Sequence, residues 1–219
     1  MKAIKFLCVL IFVFLTNEKK AQIYHTKIQQ PQLNENRDCI KWSENRKLEW
    51  SDFKGAPDQR SIKLDSVVAM SYLGFINELE ENSDSILIVI NAIFFCDSSW
   101  GIQRDWNTLR HEQKHFDITE MIARKYRMEM CDYLNAKIKE GINYDTLKKV
   151  FLIQLFDKYT ELNLSIQRLY DSETINHERQ VFWNMKIALM LDDLKAYSSP
   201  RIAIAKPKQK GFPRTMIFR

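Results

Sequence analysis

A long segment with a helical pattern, residues 105–141, carries the sequence His-Glu-Gln-Lys-His at positions 111–115. In an α-helix, residues four apart lie on one face about one turn apart, so His111 and His115 can present both imidazoles to a single metal ion. Glu112 lies between them, where its carboxylate can act as general base toward a metal-bound water. The motif therefore predicts one long helix that holds Zn²⁺ as its cofactor.

The ends and the apolar face of this helix can also be predicted. Asp105 is a typical N-cap residue, and Gly141 is a typical stop signal. The two histidines share the 3-4 spacing of one apolar stripe that continues through Ile118, Ile122 and Tyr126. We therefore expect the histidines at the floor of a cleft rather than on an exposed surface.

Residues 1–21 have the pattern of a secretory signal peptide. Lys2 and Lys5 precede an unbroken apolar run at positions 6–15, and a polar segment then ends in Ala21. This run is too short for a membrane span, which takes about 20 residues. We therefore expect cleavage after Ala21, no transmembrane span in the mature chain, and a secreted or periplasmic location.

The formal net charge of +5 is unevenly distributed along the chain. The signal segment contributes +3, and the tail from residue 198 to 219 contributes +6 because it has six basic residues and no acid. The body of the chain, residues 22–197, is therefore acidic, with a net charge of −4. An acidic body argues against nucleic acid as a partner, because nucleic-acid binders place basic surfaces against phosphates.

Three cysteines remain after the predicted cleavage, which is too few for a disulfide scaffold. Cys96 ends an apolar segment with strand character, and Cys131 lies far along the predicted helix. Two alternatives remain open at this point: a Cys96–Cys131 disulfide, or three buried thiols that include Cys39.

The order of the predicted elements defines the fold class. An irregular lead-in over residues 22–46 is followed by strands and then by helices. The predicted elements are a short strand that runs into a turn at 48–57, antiparallel strands at 66–79 and 86–96, helices at 105–141, 144–170 and 172–197, and a basic tail at 198–219 that is extended or disordered. Strands followed by helices indicate an α+β domain over residues 47–197, in which a small antiparallel sheet packs on the long helix together with two further helices.

A catalytic zinc site commonly takes three protein ligands, and the motif supplies two of them. Candidates for the third lie in residues 170–178, where one predicted helix ends and the next begins, so that the chain can fold back over the motif. His177 ranks first as the one downstream histidine, Glu173 second and Asp171 third, since Asp171 could instead cap a helix. Tyr170 could polarise a carbonyl oxygen in a transition state, although a tyrosine at a helix junction is more often a packing residue.

Four sequence blocks together resemble a family of bacterial secreted proteins that are described as predicted zinc-dependent proteases and otherwise catalogued as a domain of unknown function. The blocks are LEWSDFKG at 48–55, SSW at 98–100, LRHEQKHFDITE at 109–120 and YDSETINH at 170–177. The resemblance implies a zincin-like fold in the bacterial cell envelope. It supports the roles given to His111, Glu112 and His115, and it favours His177 as the third ligand. One departure is Glu178, where the family pattern has glycine.

These features together predict a secreted zinc-dependent metallohydrolase, most simply a peptidase that acts on peptide or protein substrates. In this hypothesis Zn²⁺ polarises the scissile carbonyl, and Glu112 accepts the proton of the metal-bound water. Two alternatives keep the same motif: an envelope binding module that uses zinc only as a structural staple, and a zinc amidase that acts on cell-wall peptides. The presence of Glu112 favours an enzyme over the binding module, because a structural site needs only ligands.

Overall fold

The computed structural model describes residues 38–65, 67–81, 85–138, 144–174 and 179–205. Several predictions fall outside the described residues: the signal peptide, residues 22–37 of the lead-in, Gly141, His177 and residues 206–219 of the tail. Among the described helices, none is both long and apolar enough to cross a membrane.

The described parts of the chain form six strands and five α-helices. In chain order these are β1 (Cys39–Lys41), α1 (Gln59–Asp65), β2 (Ala69–Met70), β3 (Leu73–Glu81), β4 (Ser85–Phe95), β5 (Trp100–Gly101), α2 (Trp106–Ile138), α3 (Tyr144–Lys149), α4 (Phe156–Thr174), α5 (Gln180–Asp193) and β6 (Arg201–Ala205). Short 3-10 helices form at Trp50–Asp52 and Lys195–Tyr197, and a π-helical segment, Val150–Leu155, joins α3 to α4.

Strand β4 lies at the centre of a four-stranded antiparallel sheet. Strand β3 pairs along one side of it, from Leu73 opposite Phe94 to Glu81 opposite Ile86. The other side is shared by β1, which pairs with the end of β4, and β6, which pairs with its start. The predicted antiparallel strand pair and the α+β class are confirmed. Strands β2 and β5 form a separate two-stranded sheet.

Helix α2 covers one face of the four-stranded sheet, and the main apolar core lies between them. Ile88, Ile90 and Phe94 lie at alternate positions of β4, belong to this core and are fully buried. The ring of Phe116 on α2 packs 5.9 Å from the ring of Phe94, measured between centroids. On the opposite face of the sheet, Ile93 and Phe95 of β4 form a second small cluster with Ile76 of β3.

A buried ion network also ties α2 to the sheet. The carboxylate of Glu120 accepts hydrogen bonds from Arg124 (2.9 Å) and from Arg127 (2.9 and 3.1 Å). The same Arg127 guanidinium donates to the carbonyl of Ile90 in β4 and to the carbonyl of Tyr197 near the end of the described chain. The three charged residues are at most 5% exposed. They therefore hold three distant parts of the chain together through hydrogen bonds that solvent does not reach.

Two segments outside the predicted strands also join the sheet. Strand β1 lies within the lead-in, so the irregular structure predicted there is wrong over these residues, whereas β6 shows that Arg201–Ala205 of the tail take the extended alternative rather than the disordered one. The physical reason lies in β4, which is eleven residues long and would otherwise leave the backbone groups on one side unpaired. Ile202 and Ile204 of β6 also pack against the main core.

The strand predicted at 48–57 is wrong as well, because a 3-10 turn forms there. The carboxylate of Asp52 accepts a hydrogen bond from the backbone N–H of Glu49 (2.7 Å) and two from the guanidinium of Arg46 (2.6 and 2.8 Å). Such local bonds from an aspartate side chain compete with strand pairing. The alternating apolar residues still have a packing role, since Leu48 and Phe53 are buried.

The start of α2 is as predicted. The carboxylate of Asp105 accepts hydrogen bonds from the backbone N–H groups of Asn107 (2.8 Å) and Thr108 (3.0 Å), and from the hydroxyl of Thr108 (2.8 Å). These bonds, the Thr108 backbone bond foremost, hold the pKa of the Asp105 carboxyl well below its usual range. Asp105 is therefore a side-chain N-cap, six residues before the first motif histidine.

The last helix starts later than predicted, at Gln180 rather than Ser172, because α4 continues as far as Thr174. Tyr170 and Thr174 are both buried on one face of α4, and the Thr174 hydroxyl donates to the carbonyl of Tyr170 (2.7 Å). The buried face of α4 thus extends one turn beyond its predicted end. Asp171 consequently lies inside a helix and does not cap one.

Cys39, Cys96 and Cys131 are free thiols, so the Cys96–Cys131 disulfide is wrong. The contact between Phe94 and Phe116 shows which part of α2 lies near Cys96, because Phe94 precedes Cys96 by only two residues. Cys131 lies fifteen residues beyond Phe116 along α2. At 1.5 Å per residue this offset is about 22 Å, whereas a disulfide requires Cα atoms within about 7 Å. Burial raises the pKa of the Cys96 thiol to about 11, which makes it a poor nucleophile at neutral pH.

Candidate metal centre

His111, Glu112 and His115 of α2 form a group of side chains that could hold a metal ion. Their potential ligand atoms all lie within 4.8 Å of one another, and the two histidine Nε2 atoms are 3.1 Å apart. Glu112 and His115 are buried, at 4% and 9% exposure, while the His111 side chain is 23% exposed and connects the group to solvent. The predicted placement of the motif on one helix face is therefore confirmed.

Helix α4 adds a carboxylate to this group. Oδ1 of Asp171 lies 3.2 Å from Nε2 of His111 and 2.9 Å from Nε2 of His115. The Asp171 side chain is 57% exposed, so it lies on the solvent side of the two rings. Asp171 was the third-ranked candidate from the sequence, and the structure brings it to the motif.

The electrostatics of the group favour a positive charge between its members. Burial disfavours a charged ring at His115, but the Asp171 carboxylate, with contributions from Glu112 and Gln167, raises the pKa of His115 above its ordinary value. At Asp171 partial desolvation raises the pKa of the carboxyl, but attraction to His115 and hydrogen bonds with both rings outweigh this and hold that pKa below its ordinary value. The site therefore attracts either a proton shared with His115 or a metal cation in its place.

Gln167 of α4 fixes the orientation of the His115 ring. Its Nε2 donates to the His115 carbonyl (2.9 Å), the Thr119 hydroxyl (3.0 Å) and the Asn163 side-chain oxygen (3.1 Å). Its Oε1 therefore faces Nδ1 of His115, at 2.6 Å. Because Oε1 can only accept, Nδ1 must carry the hydrogen, and a neutral His115 ring then presents the lone pair of Nε2 toward His111 and Asp171.

Replacing Gln167 by leucine is expected to weaken zinc binding by about 10–100-fold, the usual cost of losing a hydrogen bond that orients a ligating imidazole. Leucine is of similar size but cannot accept the Nδ1 hydrogen. Gln154→Leu is a matched control, because Gln154 is exposed on the π-helical segment and should not affect the metal. Competition with a chromophoric chelator measures the affinities, and equal values for Gln167→Leu and the wild type would contradict the positioning role.

Tyr170 has a packing role rather than the predicted contact with a substrate carbonyl. Its ring is fully buried, stacks on His111 at 4.7 Å and meets the edge of His115 at 4.8 Å. Its hydroxyl exchanges hydrogen bonds with the Gln180 side chain (2.9 and 3.2 Å). Burial raises the pKa of the Tyr170 hydroxyl, so it stays protonated. Tyr170 therefore supports both imidazoles from below and is held by the start of α5.

Glu112 is held by a residue from outside the helix. The hydroxyl of Ser71, in the short connection between β2 and β3, donates to Oε2 of Glu112 at 2.6 Å. Within the described part of the chain, Oε1 of Glu112 has no hydrogen-bond partner. One carboxylate oxygen is thus fixed, and the other remains able to accept a proton.

The other predicted ligands are not brought to the motif within the described structure. Both carboxylate oxygens of Glu173 bind elsewhere: Oε2 accepts from the indole N–H of Trp183 (2.8 Å), and Oε1 pairs with Arg179 (2.9 Å). His177 lies outside the described residues, so its prediction as third ligand remains a prediction.

Three supporting residues, Ser71, Gln167 and Gln180, were not predicted from the sequence. For Gln167 a signal existed, since it precedes Asp171 by four residues and thus lies on the same face of a helix. No comparable signal exists for Ser71 or Gln180, because their roles depend on how separate elements pack against α2.

Comparison with known protein families, curated proteins and solved structures found no match to this chain.

Proposed function

We propose that this chain is a secreted zinc-dependent metallohydrolase, a peptidase that uses Glu112 as general base on peptide or protein substrates. The observation that carries the proposal is the group on α2, in which two imidazole nitrogens lie 3.1 Å apart beside a buried glutamate. A site that only binds zinc would need the imidazoles but not the glutamate. Burial of the Glu112 carboxylate has a desolvation cost, and a catalytic role accounts for it.

Further support comes from the surroundings of the motif. The motif helix α2 packs on an antiparallel sheet, which is compatible with a zincin-like arrangement. The four sequence blocks that resemble predicted secreted zinc-dependent proteases include the motif and the segment that carries Tyr170 and Asp171. The pattern of residues 1–21 supports export to the bacterial cell envelope or beyond.

The residues of the chain would act as follows. Zinc, when bound by His111 and His115, supplies Lewis acidity that acidifies water and polarises a carbonyl. Ser71 fixes Oε2 of Glu112, so that Oε1 can accept the proton of the attacking water and then deliver it to the leaving amine. Gln167 holds the Nδ1 hydrogen of His115 and keeps its Nε2 directed at the centre.

Metal analysis of the purified mature chain tests the first half of the proposal. We expect about one zinc ion per chain, retained through gel filtration, and loss of that ion in His111→Ala and His115→Ala, because each variant removes one of few protein ligands. Arg110→Ala is the matched control, since Arg110 is an exposed neighbour of His111 on the same helix. Equal zinc content in both histidine variants and the wild type would contradict a metal site at the motif.

Cleavage assays test the second half. The zinc-loaded protein should cleave members of a pool of unfolded proteins and peptides, and a chelator should abolish cleavage. Hydrolysis confined to cell-wall peptides would indicate the amidase alternative. Full zinc occupancy without cleavage of either pool would favour the zinc-stapled binding module.

A further inference from the structure

We infer that Asp171 is the third protein ligand of the metal, so that two imidazole nitrogens and one carboxylate oxygen hold the ion. The inference rests on the proposed metal-dependent function, since it concerns the same site. It replaces the sequence-based ranking, in which His177 came first and Asp171 third, and it is carried by distances between described atoms.

Three polar atoms converge on one point. Nε2 of His111, Nε2 of His115 and Oδ1 of Asp171 form a triangle with edges of 3.1, 2.9 and 3.2 Å. Around a tetrahedral zinc ion with bonds of roughly 2.0–2.2 Å, ligand atoms lie about 3.3–3.6 Å apart. The observed triangle is smaller by only a few tenths of an ångström, so it matches one face of such a coordination shell.

The charges of these atoms require something positive between them. Gln167 holds hydrogen on Nδ1 of His115, so the Nε2 atom of a neutral ring has a bare lone pair. That lone pair faces the Asp171 carboxylate at 2.9 Å and the second imidazole at 3.1 Å. Lone pairs at these separations repel one another unless a proton or a metal ion lies between them. Neutral imidazoles and a carboxylate are also the forms in which these side chains bind zinc.

The position of Asp171 follows from the helix that carries it. Tyr170 and Asp171 follow Gln167 by three and four residues, so both lie on the face of α4 that carries Gln167. Gln167 binds His115, and Tyr170 stacks beneath His111. Two neighbours of Asp171 are therefore already fixed against the motif, and the carboxylate is placed by a rigid element instead of a loop. Pre-positioned ligands of this kind reduce the entropy that metal binding has to overcome.

Competing acids are engaged elsewhere. Glu173, two residues further along α4, binds Trp183 and Arg179. Asp117, on α2, accepts hydrogen bonds from Trp42 (3.0 Å), Gln113 (2.9 Å) and Lys114 (2.6 Å). The exposure of Asp171 on the solvent side of the rings also leaves room for a fourth, open coordination position that a substrate could reach.

The test compares zinc dissociation constants at fixed pH by chelator competition. Asp171→Ala is expected to bind zinc at least about 100-fold more weakly than the wild type, because loss of a ligand should cost no less than loss of an outer hydrogen bond, itself worth up to about 100-fold. Asp171→Asn, which keeps the shape but removes the charge, should also bind more weakly. Glu173→Gln, Glu161→Gln and His177→Ala should bind within about threefold of the wild type. Thermal melts of the metal-free variants check that each is folded.

A second readout does not depend on turnover. Substitution with Co²⁺ gives a visible absorption spectrum that reports the ligand set, and this spectrum should change in Asp171→Asn but not in His177→Ala. Wild-type affinity and an unchanged spectrum in both Asp171 variants would overturn the inference. Loss of zinc in His177→Ala with retention in Asp171→Ala would overturn it and restore the sequence-based ranking. If zinc binding depends on Asp171 but the protein hydrolyses nothing, the ligand assignment stands and the hydrolase proposal fails.

Discussion

Glu112→Gln is expected to lower turnover by about 10²–10⁴-fold, the usual contribution of a positioned acid-base group, while zinc remains bound. The amide has nearly the size of the carboxylate and its oxygen can still accept the hydrogen bond of Ser71. It cannot, however, accept the proton of an attacking water. Glu112 is 4% exposed, so the substitution is made in a buried environment.

The measurement compares wild type and Glu112→Gln at matched zinc content on a substrate that the wild type cleaves. Ser71→Ala serves as a graded control, since it keeps the carboxylate and removes only the hydrogen bond to Oε2. We expect its turnover to lie between the other two. Equal turnover in Glu112→Gln and the wild type would show that Glu112 is not the base.

Glu120→Ala is expected to destabilise the protein by about 3–5 kcal/mol, the range seen when one partner of a buried ion pair is removed. Glu120 is 2% exposed and is the shared acceptor of Arg124 and Arg127. Its loss leaves two buried guanidinium groups without a counter-charge. Their remaining bonds go to backbone carbonyls, among them those of Ile90 and Leu191. The free energy of unfolding, obtained from urea titrations, measures the effect.

Lys158→Ala provides the comparison for an exposed ion pair. Lys158 pairs with Glu129, and the two side chains are 53% and 37% exposed. Exposed pairs contribute about 0–1 kcal/mol, so this variant should unfold near the wild-type urea midpoint. Both titrations are made on metal-free protein, because bound zinc would add stability of its own. A similar, small loss in both variants would indicate that the Glu120 network does not stabilise the fold.

Where local pattern controls structure, the sequence was sufficient. The cap at Asp105, the long helix that follows it and the pairing of β3 with β4 depend on spacings of two to four residues or on one side chain next to a helix end. The same spacing rule places His111 and His115 on one face of α2. Each of these features was predicted, because the interactions that produce it lie close together in the chain.

Segments failed to follow their local pattern where a distant partner decided their conformation. The tail is rich in lysine and proline, yet residues Arg201–Ala205 form β6 because the long central strand β4 offers them backbone partners and an apolar face. At Asp52 a local interaction decides the conformation, because the carboxylate accepts the backbone N–H of Glu49 and stabilises a 3-10 helix in a segment whose alternating pattern predicted a strand. Amino-acid composition alone predicts neither the strand β6 nor the 3-10 helix at Trp50–Asp52.

In the candidate site, the two imidazoles and the glutamate between them were predictable from the sequence, because the geometry of one helix positions all three. The side chains that contact these three residues depend on how separate helices pack. Asp171 lies 60 residues from His111 along the chain, and its carboxylate reaches the imidazole because α4 packs beside α2. That packing depends on buried side chains along both helices, such as Tyr170, and no short spacing in the sequence encodes it.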